Sequence, residues 1–471
     1  MAERDPQALR AALVQLLGEG QVAWDDETLR AHAHDTWPLA LLRDHQERLN
    51  NRPACVVSPT STAAVATLLG WANEQRIAVV PFGGGSGVGG GVLPDGDAIV
   101  VDLTRMDQLL ELNETALQAR VQAGMFGHRF EEALQARGYT MGHWPQSVAL
   151  STVGGWVATR AAGQYSSRYG SIEDMLMGLE AVLADGRVVR IKSTPRRSAG
   201  PDPRHLFLGS EGTHGIVTEI TVRVMPLPES RRLLSFSFPD FDSGLEAIRH
   251  IVRAGWRPPV VRLYDAMETG RHFGQWAGED RCFLLVITEG PPTMTAAEAE
   301  ACHAICTGHG GDAVGEQPVQ HWLAERNNVP SLRSFVERGF VLDTIEVGTE
   351  WDRIHTLYHD VIEALRTVKG LIVASGHSSH SYAQGTNIYF TFVAKPDDPA
   401  DAEPTYLECW RRAMEATLAV GGTICHHHGI GRLRAPYMAA EHGTAIDLLR
   451  IIKKALDPNG IMNPGALLPP E

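Results

Sequence analysis

The run Pro81-Phe82-Gly83-Gly84-Gly85-Ser86-Gly87-Val88-Gly89-Gly90-Gly91 constrains this chain more than any other feature, because it places seven glycines directly after a strand pattern. Such a run leaves backbone N–H groups free to converge on phosphate oxygens. Gly85, Gly87 and Gly90 satisfy the G-x-G-x-x-G spacing. That fingerprint needs a helix to follow, whereas here Pro94-Asp95-Gly96-Asp97 leads into another strand pattern, Ala98 to Leu103, so a dinucleotide fold of the doubly wound type is excluded. No Gly-Lys-Ser/Thr follows either, which excludes a Walker loop. The competing reading is a flexible surface loop, which would carry the conformational entropy of seven glycines with no structural return.

The surrounding pattern alternates. Residues 1 to 45 read as helix, with Leu9, Leu13, Leu16 and Leu17 at helical spacing, and are expected to pack outside the first domain. Ala54 to Val57 reads as a strand, Ser61 to Ala72 as a helix capped by Thr60 or Ser61, and Ile77 to Val80 as a strand, forming a β-α-β unit. Strands are expected over Ala116 to Val121, Gly178 to Leu183 and Val188 to Ile191, with a helix from Phe126 to Gln135 ending near Gly138. Pro226-Leu227-Pro228-Glu229 breaks the pattern and marks a boundary. A helix over Ala445 to Leu456 runs into the turn Asp457-Pro458-Asn459-Gly460.

With 471 residues and 44% hydrophobic composition, the chain can bury a large core and should divide into two or three domains. Its formal charge of −14 argues against a nucleic-acid partner. No apolar stretch approaches a transmembrane span, and the first residues lack the plan of a secretory signal, so a cytoplasmic protein is expected. Six cysteines without a C-x-x-C pair read as mostly buried free thiols.

The second informative stretch is His426-His427-His428-Gly429-Ile430-Gly431-Arg432. Adjacent imidazoles titrate nearest neutrality and the glycines permit close backbone approach, which suits proton transfer beside a ligand. A metal-binding tract or a solvated loop would read the same way locally.

Together these motifs resemble the FAD-linked oxidase superfamily with its vanillyl-alcohol-oxidase, or PCMH, type of FAD-binding fold, and within it the alkylglycerone-phosphate synthases. The resemblance runs from about Arg52 to Leu468. It is carried by Pro81 to Gly87, Ser151-Thr152-Val153-Gly154-Gly155-Trp156, Thr159-Arg160-Ala161, Gly200-Pro201-Asp202, Gly209-Ser210-Glu211-Gly212-Thr213 and His426 to Arg434. It implies an α+β architecture: a helical segment over 1–45, a PCMH-type FAD-binding domain over 46–228, an α+β substrate (cap) domain over 229–425, and the histidine loop with a C-terminal helix returning to the FAD domain over 426–471. The implied flavin contacts are Pro81, Phe82, Gly83, Gly84, Gly85, Ser86 and Gly87; Gln146, Ser147, Val148, Ala149, Leu150, Ser151 and Thr152; Thr159, Arg160, Ala161 and Ala162; and Glu211, Gly212, Thr213, His214, Gly215, Ile216 and Val217. His214 stands where the family usually has leucine. Covalent members commonly carry a histidine in the first glycine loop, and this loop has none, so the implied FAD is non-covalent.

The family's catalytic tyrosine matches Tyr389 in Asn387-Ile388-Tyr389-Phe390, 37 positions before His426. On strand propensity alone Tyr389 would be a core aromatic. The resemblance instead makes it a base whose phenol is made more acidic by imidazolium or guanidinium neighbours. His426, His427 and His428 would assist proton transfer. Arg262 matches an arginine needed for activity and Arg333 a substrate-binding arginine, roles that suit a guanidinium facing phosphate, although each alone reads equally as a surface ion-pair partner.

The synthase likeness implies exchange of the acyl chain of acyl-dihydroxyacetone phosphate for a fatty alcohol through a flavin N5 adduct, as in ether-lipid synthesis. The alternative is an FAD-dependent D-2-hydroxy-acid dehydrogenase or oxidase of the lactate or glycolate type, whose members show His-x-Gly-Asp-Gly-Asn-x-His and Glu-His-Gly-Ile-Gly around a metal. Here Tyr389 replaces the second histidine and His427 the glutamate, so a metal set is reduced to His380 and no metal is expected. His380 itself departs from the synthase pattern. A third class, a flavin-binding module without turnover, is opposed by the presence of Tyr389, Arg333 and the three histidines. A lipid-like substrate is compatible with peripheral membrane contact, and family likeness implies a homodimer.

Overall fold

The computed structural model describes residues 5–49, 51–328 and 331–469. Cys55–Val57, Ile99–Asp102 and Val79–Phe82 run parallel in a four-stranded sheet whose edge strand is Val22–Ala23. The helix Thr62–Gln75 makes the crossover, capped by Ser61, whose hydroxyl accepts from the Ala64 N–H. The crossover skips one strand position, since Ile99–Asp102 inserts between the two strands it connects. A second, antiparallel sheet orders Leu109–Asn113, Gln118–Gln122, Ile216–Arg223, Leu176–Val182 and Val188–Ile191. The first of these strands, hairpinned to the second, has no buried position: Leu109, Leu110 and Leu112 are half-buried and Glu111 and Asn113 exposed.

The expected break at Pro226 is where the short strand Met225–Pro226 ends and the cap begins with Ser230–Phe238. The cap is a seven-stranded sheet in the order Asp312–Ala313, Ser230–Phe238, Cys282–Gly290, Val260–Tyr264, Leu371–Ser378, Gly385–Ala394, Val341–Glu350. Gly385–Ala394 alternates with period two from Ile388 onward, whereas Cys282–Gly290 is buried along its whole length. Ile388, Phe390 and Phe392 are fully buried, in one core with residues of the helices Phe241–Arg253, Ile354–Arg366 and Ala402–Ala419. Tyr389, Thr391 and Val393 fall on the opposite face and are only partly covered.

The N-terminal segment departs from the expected outside packing. Leu13 does join the core of the first sheet. Trp37, Leu39, Ala40 and Leu42, however, belong to the cap's core, and Trp37 Nε1 donates to the Tyr406 hydroxyl at 3.0 Å. Helix propensity could not show which domain this apolar stripe would find. At the other end, the helix Ile446–Leu456 precedes a tail that returns to the FAD domain: Met462 bridges Val79, and the Asn463 N–H donates to the Val79 carbonyl at 2.8 Å. All six cysteines are free, five buried and Cys425 half-buried.

Candidate active site

One cavity of about 600 Å³ reaches from the glycine loop to the polar face of the cap sheet. Its floor is two glycine-rich tracts packed backbone to backbone. A Cβ on Gly84 would overlap the Leu150 carbonyl oxygen, and one on Gly83 would overlap the Thr152 hydroxyl. Only glycine fits there, and what lies bare to the cavity is peptide backbone, a cradle of the kind that suits phosphates. Of the expected flavin contacts, Pro81 to Gly87, Gln146, Ser147, Leu150, Ser151, Thr152, Thr159, Ala161, Ala162, Glu211, Gly212, Gly215, Ile216 and Val217 line the cavity. Val148, Ala149, Arg160, Thr213 and His214 are outside that lining. Val148 is core, Arg160 turns away to pair with Glu173, and His214 Nδ1 meets the Leu206 carbonyl at 2.5 Å.

Asp35, from the segment expected outside, joins the floor. Its carboxylate accepts from the Gly91 N–H at 2.9 Å, beside Glu211, which accepts from Ile430 N at 2.6 Å and Gly431 N at 2.8 Å. Burial pushes both carboxyls up to about 7. These two acids tie the N-terminal segment, the glycine loop and the histidine loop into one wall. Gly431 adopts φ +56 where a side chain would overlap the Gly89 carbonyl.

The opposite wall is set by sheet register. Glu346, Tyr389 and His377 are directly paired across three neighbouring strands, hence on one face. His377 stacks on Tyr389 with centroids 4.7 Å apart, and the Tyr389 hydroxyl donates to Thr344 Oγ1 at 2.9 Å. Arg262 Nη2 donates to His377 Nε2 at 2.6 Å, so His377 Nδ1 carries the proton and donates to Glu268 Oε2 at 2.7 Å. Burial lowers His377 to about 4, keeping it neutral. Against its own burial, Glu268 is held down to about 2 by the His377 N–H it accepts from and by the Arg271 and Arg262 charges.

The histidine loop hangs on Glu346. This carboxylate is fully buried and accepts from His428 N at 2.8 Å and from Arg434 Nη2 at 2.6 Å. Burial opposes its ionisation, but Arg434 and the histidines hold it well below the usual carboxylate range. Arg434, also fully buried, lies 4.6 Å from the Trp410 ring. His427 and His428 line the cavity and His426 stands behind them.

Two sequence expectations need correction. Tyr389 is not made more acidic: burial raises its phenol, and Arg262 counteracts this only weakly. Nor are its neighbours imidazolium, since burial lowers His426 to about 4 and His380 and His427 well below the usual range. The count that left His380 alone as a metal ligand also fails, because one ring nitrogen from each of His380, His426 and His427 lies within 4.8 Å of the others. Arg333 borders the cavity but is half-exposed and paired with Asp44 at 2.9 Å. Sequence reasoning passed over Asp35, Glu268, Thr344, Glu346 and His377. Only His377, three residues before His380, carried a local signal.

The fold joins a PCMH-type FAD-binding domain to a cap, with the cavity reaching from one to the other. Residues 53–192 match the family described as FAD binding domain, and residues 227–467 match that described as FAD linked oxidases, C-terminal domain. The chain belongs to this family of FAD-linked oxidases, and FAD is its cofactor. It is 37% identical over 484 residues to "Uncharacterized FAD-linked oxidoreductase YgcU" of Escherichia coli (strain K12), covering 98% of this chain and 99% of that one. It is 31% identical over 499 residues to the alkyldihydroxyacetonephosphate synthase of Trypanosoma brucei brucei, covering 97% and 80%. A solved alkyldihydroxyacetonephosphate synthase superposes with a TM-score of 0.83 at 25% identity, covering 98% and 85%. Among the described residues no helix is long and apolar enough to cross a membrane.

Proposed function

We propose that this flavoenzyme acts as an alkylglycerone-phosphate synthase, replacing the acyl chain of an acyl-dihydroxyacetone phosphate with a fatty alcohol and releasing the fatty acid, with no net oxidation. The observation that carries the reading is the row Glu346, Tyr389, His377, which puts a phenol and a neutral imidazole on the cavity face of the cap sheet. Bound FAD supplies an electrophilic, redox-active ring. Arg262 has two of its donors committed to Tyr264 and His377 and offers its remaining guanidinium edge to the substrate's phosphate. Unprotonated His427 accepts the proton leaving the carbon beside the ketone. Tyr389, protonated at neutral pH, donates to the departing carboxylate. Arg333, at the rim, meets the substrate on entry by exchanging Asp44 for its phosphate. Non-covalent FAD, a cytoplasmic setting and a homodimer belong to the same proposal.

The convergence of His380, His426 and His427 favours a second reading, dehydrogenation of a D-2-hydroxy acid. The anaerobic visible spectrum separates the two. Bleaching of the flavin on adding acyl-dihydroxyacetone phosphate, with recovery on adding fatty alcohol and no response to D-2-hydroxy acids, is the expected outcome. Lasting bleaching by a hydroxy acid would replace the synthase reading with the dehydrogenase.

A further inference from the structure

A second cavity, of about 530 Å³, lies at the seam between the FAD domain and the cap and shares no lining residue with the flavin cavity. The FAD domain contributes Trp144, Tyr165 and Tyr169 to its lining, and the cap contributes Arg231, Glu289 and Arg326. We propose that it binds a small organic monocarboxylate, with the Arg326 guanidinium as the group that holds the acid.

Arg326 follows the helix Gln317–Glu325, and its guanidinium lies 5.2 Å, 5.0 Å and 5.6 Å from the rings of Trp144, Tyr165 and Trp322. Aromatic faces attract a cation but bring no charge to neutralise it. Nη1 donates to Gln164 Oε1 at 3.0 Å, and Gln164 Nε2 donates to the Arg326 carbonyl at 3.3 Å. Among the described residues, Nε and Nη2 have no hydrogen-bond partner and no carboxylate forms an ion pair with Arg326.

Glu289, whose charge reaches Arg326, is already engaged. Its Oε2 accepts from Arg231 Nε at 2.9 Å and Nη2 at 2.7 Å, and its Oε1 from the Tyr169 hydroxyl. Glu229, on the exposed lip, forms no ion pair with either arginine. A cation taken from water without a counter-charge is unfavourable, and burial pulls the Arg326 guanidinium below its ordinary value.

The unused Nε and Nη2 are the side-on fork of the guanidinium, two parallel donors at the spacing of carboxylate oxygens. The rings of Trp144 and Tyr165, with Pro228 and Leu323, suit an apolar body attached to that acid. One unmatched cation fits one negative charge, and Glu229 at the lip repels a second, so the ligand is a monoanion rather than a phosphate dianion. The site also touches the active centre. Gln164 lines the flavin cavity while both ends of its amide are tied to Arg326, so a carboxylate that engages Arg326 bears on the wall of the flavin cavity through a single side chain.

The test titrates FAD-loaded protein with benzoate by calorimetry, with acetate and inorganic phosphate as comparisons. One equivalent of benzoate should bind, more tightly than acetate, with affinity falling about 100-fold in Arg326→Gln and about 10-fold in Arg326→Lys, which keeps the charge and loses the fork. Flavin absorbance and melting temperature report whether each variant is folded, and Arg326→Lys carries the comparison if Arg326→Gln loses FAD. The site is overturned by a lack of saturable benzoate uptake at millimolar concentration, and equally by uptake that both variants keep unchanged, which would place benzoate in the flavin cavity. Phosphate bound more tightly than benzoate would overturn the assignment to a monocarboxylate. These outcomes are heats of binding measured without turnover, so they leave the synthase proposal to its own spectral test.

Discussion

Tyr389 shows how burial redirects the role of a residue without changing its importance. A phenol surrounded by protonated bases would ionise easily, but its actual neighbours are a stacked neutral His377 and the Thr344 hydroxyl, and desolvation keeps it protonated. Tyr389→Phe should therefore lower kcat by about 10²–10⁴-fold while leaving bound FAD unchanged. A loss under tenfold in steady-state turnover would reduce it to a strand aromatic. Glu346 is the structural counterpart. Its ion pair with Arg434 is fully enclosed, so Glu346→Ala leaves a buried guanidinium without its counter-charge. The expected cost is about 3–5 kcal/mol in urea unfolding. A change below about 1 kcal/mol would show that water or another acid replaces the pair.

Elements impose different limits. The glycine loop is positioned by its contact with the tract from Leu150 to Thr152, and a methyl group at Gly84 separates the two. Gly84→Ala should purify with little FAD, whereas Gly20→Ala, where an added Cβ meets nothing, should retain it in full. Retention by both would mean that the loop does not carry the flavin. The acids beneath the loop add a pH dependence. Asp35 and Glu211 are raised by burial to about 7, above the ordinary range of about 4 for an unfolded chain. The folded state therefore holds protons that the unfolded state releases, and their stabilisation is complete below about pH 4 and lost as pH rises to about 7. Melting temperatures of the flavin-free protein should fall across that window, and Asp35→Asn with Glu211→Gln should flatten the fall. An equally steep fall in the double variant would assign the effect elsewhere.

On the scale of the whole molecule, the chain closes on itself. Lys453 donates to the Thr213 carbonyl at 2.9 Å and to Asp457 at 2.5 Å, and Asn463 Nδ2 bonds the carbonyls of Gly91 at 2.9 Å and Glu211 at 2.7 Å. Truncation after Leu456 should thus release FAD and lower the melting temperature although it removes no cavity side chain except Asn463. Asn463→Ala separates loss of that one residue from loss of the tail, and a truncated chain that keeps FAD would show the tail to be dispensable. The first β-α-β unit, the glycine loop and the histidine loop were legible because each is written in short-range pattern: apolar runs around a capped helix, glycine spacing, adjacent imidazoles. Glu346, Asp35 and Glu268 were not, since a lone carboxylate gains its role only from what packs around it. The sequence by itself determined the first β-α-β unit and which stretches approach a ligand, because backbone sterics and side-chain periodicity act over a few residues; it read 1–45 as helix throughout, where Val22–Ala23 pairs as a sheet edge, and it left the cap strands unresolved. Tertiary structure alone decided that residues 46 positions apart, His380 and His426, stack ring on ring. It also decided that Tyr389 keeps its proton, because desolvation depends on everything that comes to lie near a group, wherever in the chain it began.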